Sequence, residues 1–228
     1  MKRPDTYVLA VDVGQANDYT AVAILRGRQT VEKSGPWHDQ VTYGRKHELI
    51  HLERFREIPY PDQVRRIVER YRELERAVSQ ERKATSRLVV DATGVGKPIL
   101  DELREADLQP KGVIITAGET TTSNDGVYRV PKRELVTTLQ VALQARRLQI
   151  AEELPLAKTL LQELRGFRVK ITLGGHARFG NDVGVWRDAD HDDLVLAVSL
   201  GVWSLERGPR PGQLHRLRVA GGLTSGAG

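Results

Sequence analysis

Cysteine is absent from this chain of 228 residues, which excludes disulfides and thiolate metal sites. Any metal ion must therefore be held by oxygen or imidazole ligands. No apolar stretch approaches the roughly 20 residues of a membrane-spanning helix. The first residues, Met-Lys-Arg-Pro-Asp, do not lead into the apolar segment of a signal peptide. We expect a protein that works inside a cell and has no membrane contact.

Apolar and charged residues are present in the amounts of an ordinary globular domain, at 39% and 29% of the chain. We predict one α/β domain over residues 1–207, because this length is enough to bury a core. Residues 208–228 are rich in Gly, Pro and Arg and are predicted to be a disordered tail. The isoelectric point near 9.5 favours an anionic partner such as nucleic acid.

Two apolar runs near the start of the chain predict a β-hairpin. Thr6 to Asp12 is the first and Thr20 to Leu25 the second, with the turn-forming residues Gly14 to Asp18 between them. The two strands should be antiparallel, and the first should be buried on both faces. The polar stretch from about Val31 to Lys46 is predicted to be a loop, and Glu48 to Ile58 a third, more exposed strand.

The rest of the chain alternates between strand and helix signals. Ser86 to Asp91 is a short apolar strand, and the glycines after it predict a tight turn into a helix that starts at Pro98, which is the unit of a parallel sheet. Val113 to Thr116 predicts the next strand, and the polar segment Ala117 to Tyr128 a mobile loop. Helical spacing of apolar residues predicts four further helices, which begin near Pro61, Pro131, Leu154 and Asp190.

Acidic residues lie where three of the apolar runs begin or end. Asp12 follows Tyr7 to Val11, Asp91 follows Leu88 to Val90, and Asp190-His191-Asp192-Asp193 precedes the apolar run of the last helix. Each has an ordinary structural explanation, as a turn residue or a helix cap. However, neighbouring parallel strands end at one edge of a sheet, and a helix start can lie over that edge. Together the three positions predict a divalent-metal site.

Carboxylate oxygens are the ligands that Mg²⁺ and Mn²⁺ prefer, and two such ions about 3.5–4 Å apart can activate water and stabilise a leaving oxygen. The chemistry that this predicts is phosphodiester hydrolysis. In this scheme Asp12 bridges both ions, Asp91 binds one and Asp193 binds the other. On an ideal helix Asp190 shares a face with Asp193, whereas Asp192 points about 100° away. Asp190 is therefore a fourth candidate ligand, and Asp192 is a candidate if the helix start is irregular.

Five segments resemble, in order, the C-terminal nuclease domain of tailed-phage terminase large subunits. They are VLAVDVGQANDYTAVAIL, IPYPDQVRRIVERY, LVVDATGVGKPILDEL, YRVPKRELVTTLQVALQ and HDDLVLAVSLGVW, and the similarity covers about Tyr7 to Leu205. Each motif is loose alone, but five in the family's order are fairly specific. The family's first acid matches Asp12 and its second matches Asp91. Its last acid lies within the HDD segment, where Asp193 is favoured over Asp192.

The resemblance implies a ribonuclease H-like fold, an α/β architecture in which a mixed sheet of an antiparallel hairpin plus parallel strands is flanked by helices. It also implies a two-metal (Mg²⁺ or Mn²⁺) endonuclease that cuts concatemeric viral DNA during genome packaging, in the cytoplasm of a bacterial host cell. Full large subunits carry an N-terminal packaging ATPase, which we expect to be absent because this chain starts just before the nuclease's first strand. The implied partners are double-stranded DNA, a separate packaging ATPase, the small terminase subunit and the portal.

Two groups of basic residues are candidates for contacts with DNA phosphates. Arg129, Lys132 and Arg133 flank the predicted mobile loop, and Lys170 and Arg178 lie in a glycine-rich stretch. A solvated face is the ordinary explanation of such residues. The stretch Gly174 to Trp186 is also predicted to form a hairpin over the active site, as the family's variable insertion implies.

Three alternatives remain open. A sugar-kinase or actin-like ATPase also begins with an Asp-x-Gly hairpin, but that architecture needs far more than 228 residues. A Holliday-junction resolvase shares the fold and a final D-x-x-D pair, which Asp190 and Asp193 match. In the third alternative the fold only binds DNA or a packaging protein. A phosphate loop before Pro98 is disfavoured, because G-x-x-x-x-G-K-[ST] requires Gly at position 91, where Asp91 stands, and Ser or Thr at 98.

Overall fold

The computed structural model describes residues 4–14, 18–34, 40–166 and 192–207. Within these ranges the strands are β1 (Thr6–Asp12), β2 (Thr20–Ser34), β3 (Gln40–Phe55), β4 (Thr85–Asp91), β5 (Lys111–Thr116), β6 (Thr122–Asn124), β7 (Val127–Pro131) and β8 (Leu148–Ile150). The helices are α1 (Tyr60–Ser79), α2 (Gly96–Glu105), α3 (Lys132–Gln144), α4 (Ala157–Gly166) and α5 (Asp193–Glu206). The predicted tail, residues 208–228, and the predicted hairpin from Gly174 to Trp186 lie outside the described residues.

The described strands form one mixed sheet in the order β6-β7-β5-β4-β1-β2-β3-β8. Strand β1 pairs antiparallel with β2 and parallel with β4, and the β4–β5 and β5–β7 pairs are also parallel. Because β1 is central and covered on both faces, its sequence is a continuous apolar run without alternation. The predicted ribonuclease H-like α/β fold, with an antiparallel hairpin plus parallel strands and flanking helices, is confirmed.

The β2–β3 ribbon is longer than predicted. β2 runs to Ser34 and β3 begins at Gln40, so the prediction of a loop from Val31 to Lys46 is wrong. Pairing of β2 with β1 ends at Gly27, whereas pairing with β3 continues to the end of β2. Beyond Gly27 the ribbon extends past its pairing with β1, and its sequence there shows little apolar alternation.

The predicted mobile loop from Ala117 to Tyr128 contains a second hairpin, so that prediction is also wrong. Strands β6 and β7 pair antiparallel and are joined by the two residues Asp125 and Gly126. Both have positive φ, at 45° and 75°, as a type I′ turn requires. Asp-Gly is the usual sequence of such a turn, but β6 is only three exposed residues and shows no apolar run.

Helix starts differ from the predictions by a few residues. α1 begins directly after Pro59 and α3 directly after Pro131, as prolines at a helix start indicate. α2 begins two residues before the predicted Pro98, and α5 begins at Asp193, three residues after the predicted start. None of the helices in the described part of the chain is long and apolar enough to cross a membrane.

The sheet separates two apolar cores. On one face, side chains of α1 and α2 pack against alternate residues of β1, among them Leu9 and Val11. On the other face α3, α4 and α5 pack against the intervening residues, Val8 and Ala10. Helix α5 lies against β1 and β2 and also contacts α3 and α4, so it is buried along almost its whole length. This burial places the first residue of α5 over the sheet edge where β1 and β4 end.

Candidate active site

Asp12 and Asp91 end two adjacent parallel strands. The β1–β4 register pairs Val11 with Val90, so the next residue of each strand is an aspartate at the same edge of the sheet. Both side chains are largely buried, with residue exposures of 7% for Asp12 and 8% for Asp91. The parallel pairing predicted from the two apolar runs therefore places these two carboxylates side by side.

The acids at the start of α5 are close enough for their charges to act on Asp12. Burial raises the pKa of Asp12 well above its ordinary value, and the negative charges of Asp91, Asp193 and Asp192 raise it further. Asp192 does not turn away, because α5 begins one residue later and Asp192 occupies the N-cap position outside the helix. Four of the five predicted ligands are thus near one another, and the fifth, Asp190, lies outside the described residues.

Asp91 is oriented by the turn that follows β4. The backbone N–H of Thr93 donates a hydrogen bond of 2.8 Å to Asp91 Oδ1, and the Thr93 hydroxyl accepts one of 2.9 Å from the N–H of Ile115 in β5. Burial raises the pKa of Asp91, and the hydrogen bonds from Thr93 and the charge of Lys132 partly offset this. Burial therefore disfavours ionisation of both carboxyl groups unless a cation compensates their charge.

A buried chain of hydrogen bonds holds the turn after Asp12. The Gly14 N–H donates to Thr20 Oγ1 at 3.0 Å, and the Thr20 hydroxyl donates to Gln63 Oε1 at 2.8 Å. Gln63 Nε2 in turn donates to the carbonyl oxygen of Ile58 at 2.9 Å. Sequence analysis missed Gln63, since a polar residue in the first turn of a helix gives no signal of burial.

The glycines after Asp91 form the predicted tight turn. A Cβ at position 96 would lie 1.8 Å from the carbonyl oxygen of Asp91, so only glycine fits this position. Gly94 has a φ of 59°. These residues return the chain across the end of β4 into α2, and their role is to let the backbone approach itself closely.

Glu163 of α4 is a buried acid that sequence analysis missed. Its Oε2 accepts hydrogen bonds from the backbone N–H groups of Leu194 at 3.0 Å and Val195 at 3.2 Å, in the first turn of α5. Its Oε1 lies 3.1 Å from Nη1 of Arg54. Burial raises the pKa of Glu163 to about 7, the Val195 N–H and Arg54 oppose this, and the charge of Asp193 adds to it.

The predicted DNA-contacting residues fall into three places. Lys132 lies within the acidic cluster, where its Nζ is 3.6 Å from Asp192 Oδ2. Arg133, the next residue, is exposed at the start of α3, and Arg129 is exposed on β7. Lys170 and Arg178 lie outside the described residues.

A cavity of about 470 Å³ lies between α2 and the β6–β7 hairpin, on the sheet face that α1 and α2 cover. Its lining includes Ala92, which follows Asp91 directly, and the exposed basic side chains of Lys97 and Arg129. Arg104 also lines it and is paired with Asp101 at 3.1 Å. The side chains of Asp12, Asp91, Asp192 and Asp193 do not line this cavity.

Among residues 4–14, 18–34, 40–166 and 192–207, no three His, Asp or Glu side chains are already arranged as the ligands of one metal ion. The acids influence one another electrostatically without converging on a single point. Mutual repulsion favours this arrangement, because buried like charges separate or share protons unless a cation lies between them.

The same fold occurs in viral terminases. The chain matches the large terminase of a thermophilic bacteriophage with a TM-score of 0.51 and 12% identity, over 89% of this chain and 40% of that one. The chain shares its fold with part of that large terminase. The large terminase nuclease of thermophilic phage G20c also matches, with a TM-score of 0.48 and 19% identity over 86% of this chain and 81% of that one.

A third match is the human cytomegalovirus terminase nuclease domain, in a structure soaked with Mn, with a TM-score of 0.47 and 14% identity. It covers 92% of this chain and 86% of that one. No protein-family model matches the sequence, and no curated protein matches it. At these identities the likeness establishes the fold, and the structural resemblance predicted from the five sequence segments is confirmed at that level.

Proposed function

We propose that this chain is a metal-dependent DNA endonuclease of the terminase large-subunit type, which cuts concatemeric viral DNA during genome packaging. The observation on which this depends is the gathering of Asp12, Asp91, Asp192 and Asp193 at one edge of the sheet. These residues come from three remote parts of the chain, and a purely structural role for each would not require them to meet. The fold shared with a phage large terminase supports double-stranded DNA as the substrate.

Among the described residues the acidic cluster carries more negative than positive charge, which fits divalent cations. Asp12 is buried among three other carboxylates, and Lys132 supplies one cation at their margin. We assign Asp12, Asp91 and Asp193 as the residues that would hold two Mg²⁺ or Mn²⁺ ions. Asp192 and Asp190 are supplementary ligands. Bound there, the ions would activate water and stabilise the leaving oxygen of the phosphodiester.

The protein itself supplies orientation and attraction for the phosphate. The N–H of Thr93 holds the Asp91 carboxylate, and the Gly14–Thr20–Gln63 hydrogen bonds hold the turn after Asp12. We assign Lys132, Arg129 and Arg133 to contacts with phosphate oxygens of the DNA. Lys170 and Arg178 remain predicted DNA contacts. The proposed partners are a separate packaging ATPase, the small terminase subunit and the portal, and the proposed location is the cytoplasm of a bacterial host cell.

Plasmid cleavage tests this proposal. With Mn²⁺ the full chain is expected to nick and linearise supercoiled plasmid DNA, and EDTA to stop it. Asp12→Asn, Asp91→Asn and Asp193→Asn are each expected to lower the rate by about 100-fold or more, because each removes a ligand whose loss raises the barrier by several kcal/mol. All three variants should keep the circular dichroism spectrum of the wild type.

Asp107→Asn is the matched control, since Asp107 is exposed and lies just beyond the end of α2 that is remote from Asp91. Asparagine also tolerates the positive φ of 61° at this position. The control is expected to cut at the wild-type rate. Cleavage that survives in the Asp12 and Asp91 variants, or wild-type protein that binds DNA without cutting it in Mn²⁺, would reject the nuclease and favour the non-catalytic alternative.

A further inference from the structure

Helix α5 is capped by a residue from another helix. The side chain at an N-cap normally accepts the N–H groups of the second or third helical residue, and aspartate is among the best residues for this. Asp192 occupies the N-cap of α5 but makes no such hydrogen bond. Glu163 accepts two N–H groups instead, from Leu194 and Val195, which lie 31 and 32 residues further along the chain. The cap of α5 therefore comes from α4.

This arrangement determines where the Asp192 carboxylate points. An aspartate that caps its own helix turns its side chain towards the helix N–H groups. Here those groups are already paired with Glu163, and Asp192 Oδ2 lies 3.6 Å from Lys132 Nζ, towards the other acids. The Asp192 charge thus reaches Asp12.

Arg54 offsets the charge that Glu163 adds close to Asp193. Its Nη1 lies 3.1 Å from Glu163 Oε1, and its guanidinium carbon lies 4.1 Å from the centre of the Tyr19 ring. Tyr19 directly precedes Thr20, whose hydroxyl fixes the turn after Asp12. The contacts from Tyr19 through Arg54 and Glu163 therefore join the Asp12 turn to the first turn of α5.

We propose that Glu163 is a positioning residue for the metal site, supported by Arg54. By taking the N–H groups of α5, it keeps Asp192 and Asp193 directed at Asp12 and Asp91. This inference rests on the proposed nuclease function and assigns a role to a residue outside the proposed set of metal ligands. Residues in this outer position commonly affect metal affinity as strongly as some direct ligands do.

Metal binding without DNA tests the role of Glu163. Isothermal titration of the full chain with Mn²⁺ measures affinity separately from cleavage, and the Mn²⁺-induced rise in melting temperature gives a second readout. Glu163→Ala is expected to weaken Mn²⁺ binding by about 10-fold or more, since outer-shell substitutions cost roughly 10- to 100-fold. Glu163→Gln keeps an oxygen for the two N–H groups, and we expect its loss to be about threefold or less.

Glu206→Gln is the matched control, because Glu206 is also a shielded acid of an ion-pair network but lies at the far end of α5. It is expected to lower the melting temperature and leave Mn²⁺ affinity unchanged. If Glu163→Ala does not fold, Glu163→Asp replaces it, because its carboxylate is one methylene too short to reach both N–H groups. Wild-type Mn²⁺ affinity in that variant, or equal losses in the Glu206 control, would overturn the inference.

The outcomes also separate this inference from the proposed function. A wild-type chain that neither binds Mn²⁺ nor cuts DNA contradicts the nuclease proposal itself. A wild-type chain that does both, together with a Glu163→Ala variant that binds Mn²⁺ equally well, contradicts only the role of Glu163. Rescue by Glu163→Gln supports positioning through hydrogen bonds, and equal losses in the Gln and Ala variants contradict it.

Discussion

Asp12 is a residue whose burial is expected to lower the stability of the fold. It is buried on a central strand, where apolar residues precede it, and the charges of three other carboxylates act on it. An ionised carboxylate in such surroundings lowers the stability of the fold unless a cation compensates it. Residues that favour function at the expense of stability are common at active sites.

Asp12→Asn is therefore expected to stabilise the metal-free protein. In EDTA at pH 7 the variant should gain about 0.5–2 kcal/mol in free energy of unfolding, because the buried negative charge is removed. Urea denaturation measures this gain. Adding Mn²⁺ should stabilise the wild type and leave the variant unchanged, and Asp107→Asn should match the wild type throughout. A variant less stable than the wild type in EDTA would show that the carboxylate is not under electrostatic strain.

Single residues also explain why the turns around the site have their sequences. Gly96 is required because a side chain would collide with the Asp91 carbonyl, which is a consequence of how closely α2 follows β4. Gly126 is different, since nothing lies within 4 Å of a Cβ built there and only its positive φ disfavours other residues. Glycine is thus needed at position 96 because a side chain has no space, and at position 126 because the backbone has a positive φ.

Among the elements, α5 connects the candidate site to the opposite edge of the sheet. Its first turn lies beside the acids, and its last residue, Glu206, lies among basic side chains. His47 Nε2 of β3 is 2.9 Å from Glu206 Oε1, and Arg147 pairs with the same oxygen. Arg45 donates 2.6 Å and 3.3 Å hydrogen bonds to the last carbonyl groups of the helix, where a cation is favoured by the helix dipole.

The Glu206 network predicts a pH dependence of stability. Burial favours protonation of Glu206, but the hydrogen bonds and charges of His47 and Arg147 outweigh it and lower the pKa from 4.5 to about 2. When folding lowers the pKa of an acid, the folded protein is more stable at any pH above the pKa of the unfolded state. This extra free energy of unfolding is lost as the pH falls towards the pKa of the folded state. Glu206→Gln should therefore cost up to about 3 kcal/mol at pH 7 and progressively less from about pH 5 to about pH 2.

Denaturation of the wild type and Glu206→Gln across this pH range measures the difference. Glu75→Gln, exposed on α1, is the control and should change stability by less than about 0.5 kcal/mol at every pH. A constant difference between wild type and Glu206→Gln over the whole range would mean that the carboxylate is not stabilised by its ionised partners.

The paired strands show which elements a sequence pattern can reveal. β1 and β4 are apolar because both faces are covered, and both were predicted close to their observed bounds. The outer part of the β2–β3 ribbon and the β6–β7 hairpin were not, because polar or very short strands carry no apolar period. β8 was missed for the same reason, since its three residues pair only with β3 at the sheet margin.

At the scale of the whole molecule, the positive charge is unevenly placed. The net charge of +5 is modest, and many arginines are paired with acids on the surface of α1. By contrast, Lys97 and Arg129 are exposed and line the cavity between α2 and the β6–β7 hairpin. If the chain binds DNA as proposed, these two cations are candidates for contacts with backbone phosphates.

Removing a positive charge along this cavity is expected to weaken DNA binding and to make the DNA affinity less dependent on the salt concentration. Arg129→Gln and Lys97→Gln should each reduce the slope of log affinity against log salt by about 1, because each contact neutralises about one phosphate. Fluorescence anisotropy with duplex DNA in Ca²⁺, without cleavage, measures the slope. Arg82→Gln, at the opposite edge before β4, should leave it unchanged. Equal slopes for all variants would place the DNA elsewhere.

The sequence by itself determined the central strands, the amphipathic helices and the acids that end or begin them. Asp12, Asp91 and Asp193 could be singled out because apolar runs next to them make a carboxylate unusual, and the order of motifs pointed to the fold. Burial imposes a local pattern at such positions, and that pattern can be read along the chain.

Only the tertiary structure decided which residues orient these acids. Gln63, Glu163 and Arg54 have no local pattern, because their hydrogen bonds join residues that are distant in sequence and depend on the packing of α1 and α4 against the sheet. The start of α5 at Asp193, with Asp192 left outside the helix, follows from the cap that Glu163 provides. Contacts between elements that are distant in sequence form only when the helices pack against the sheet, so they cannot be predicted from the sequence alone.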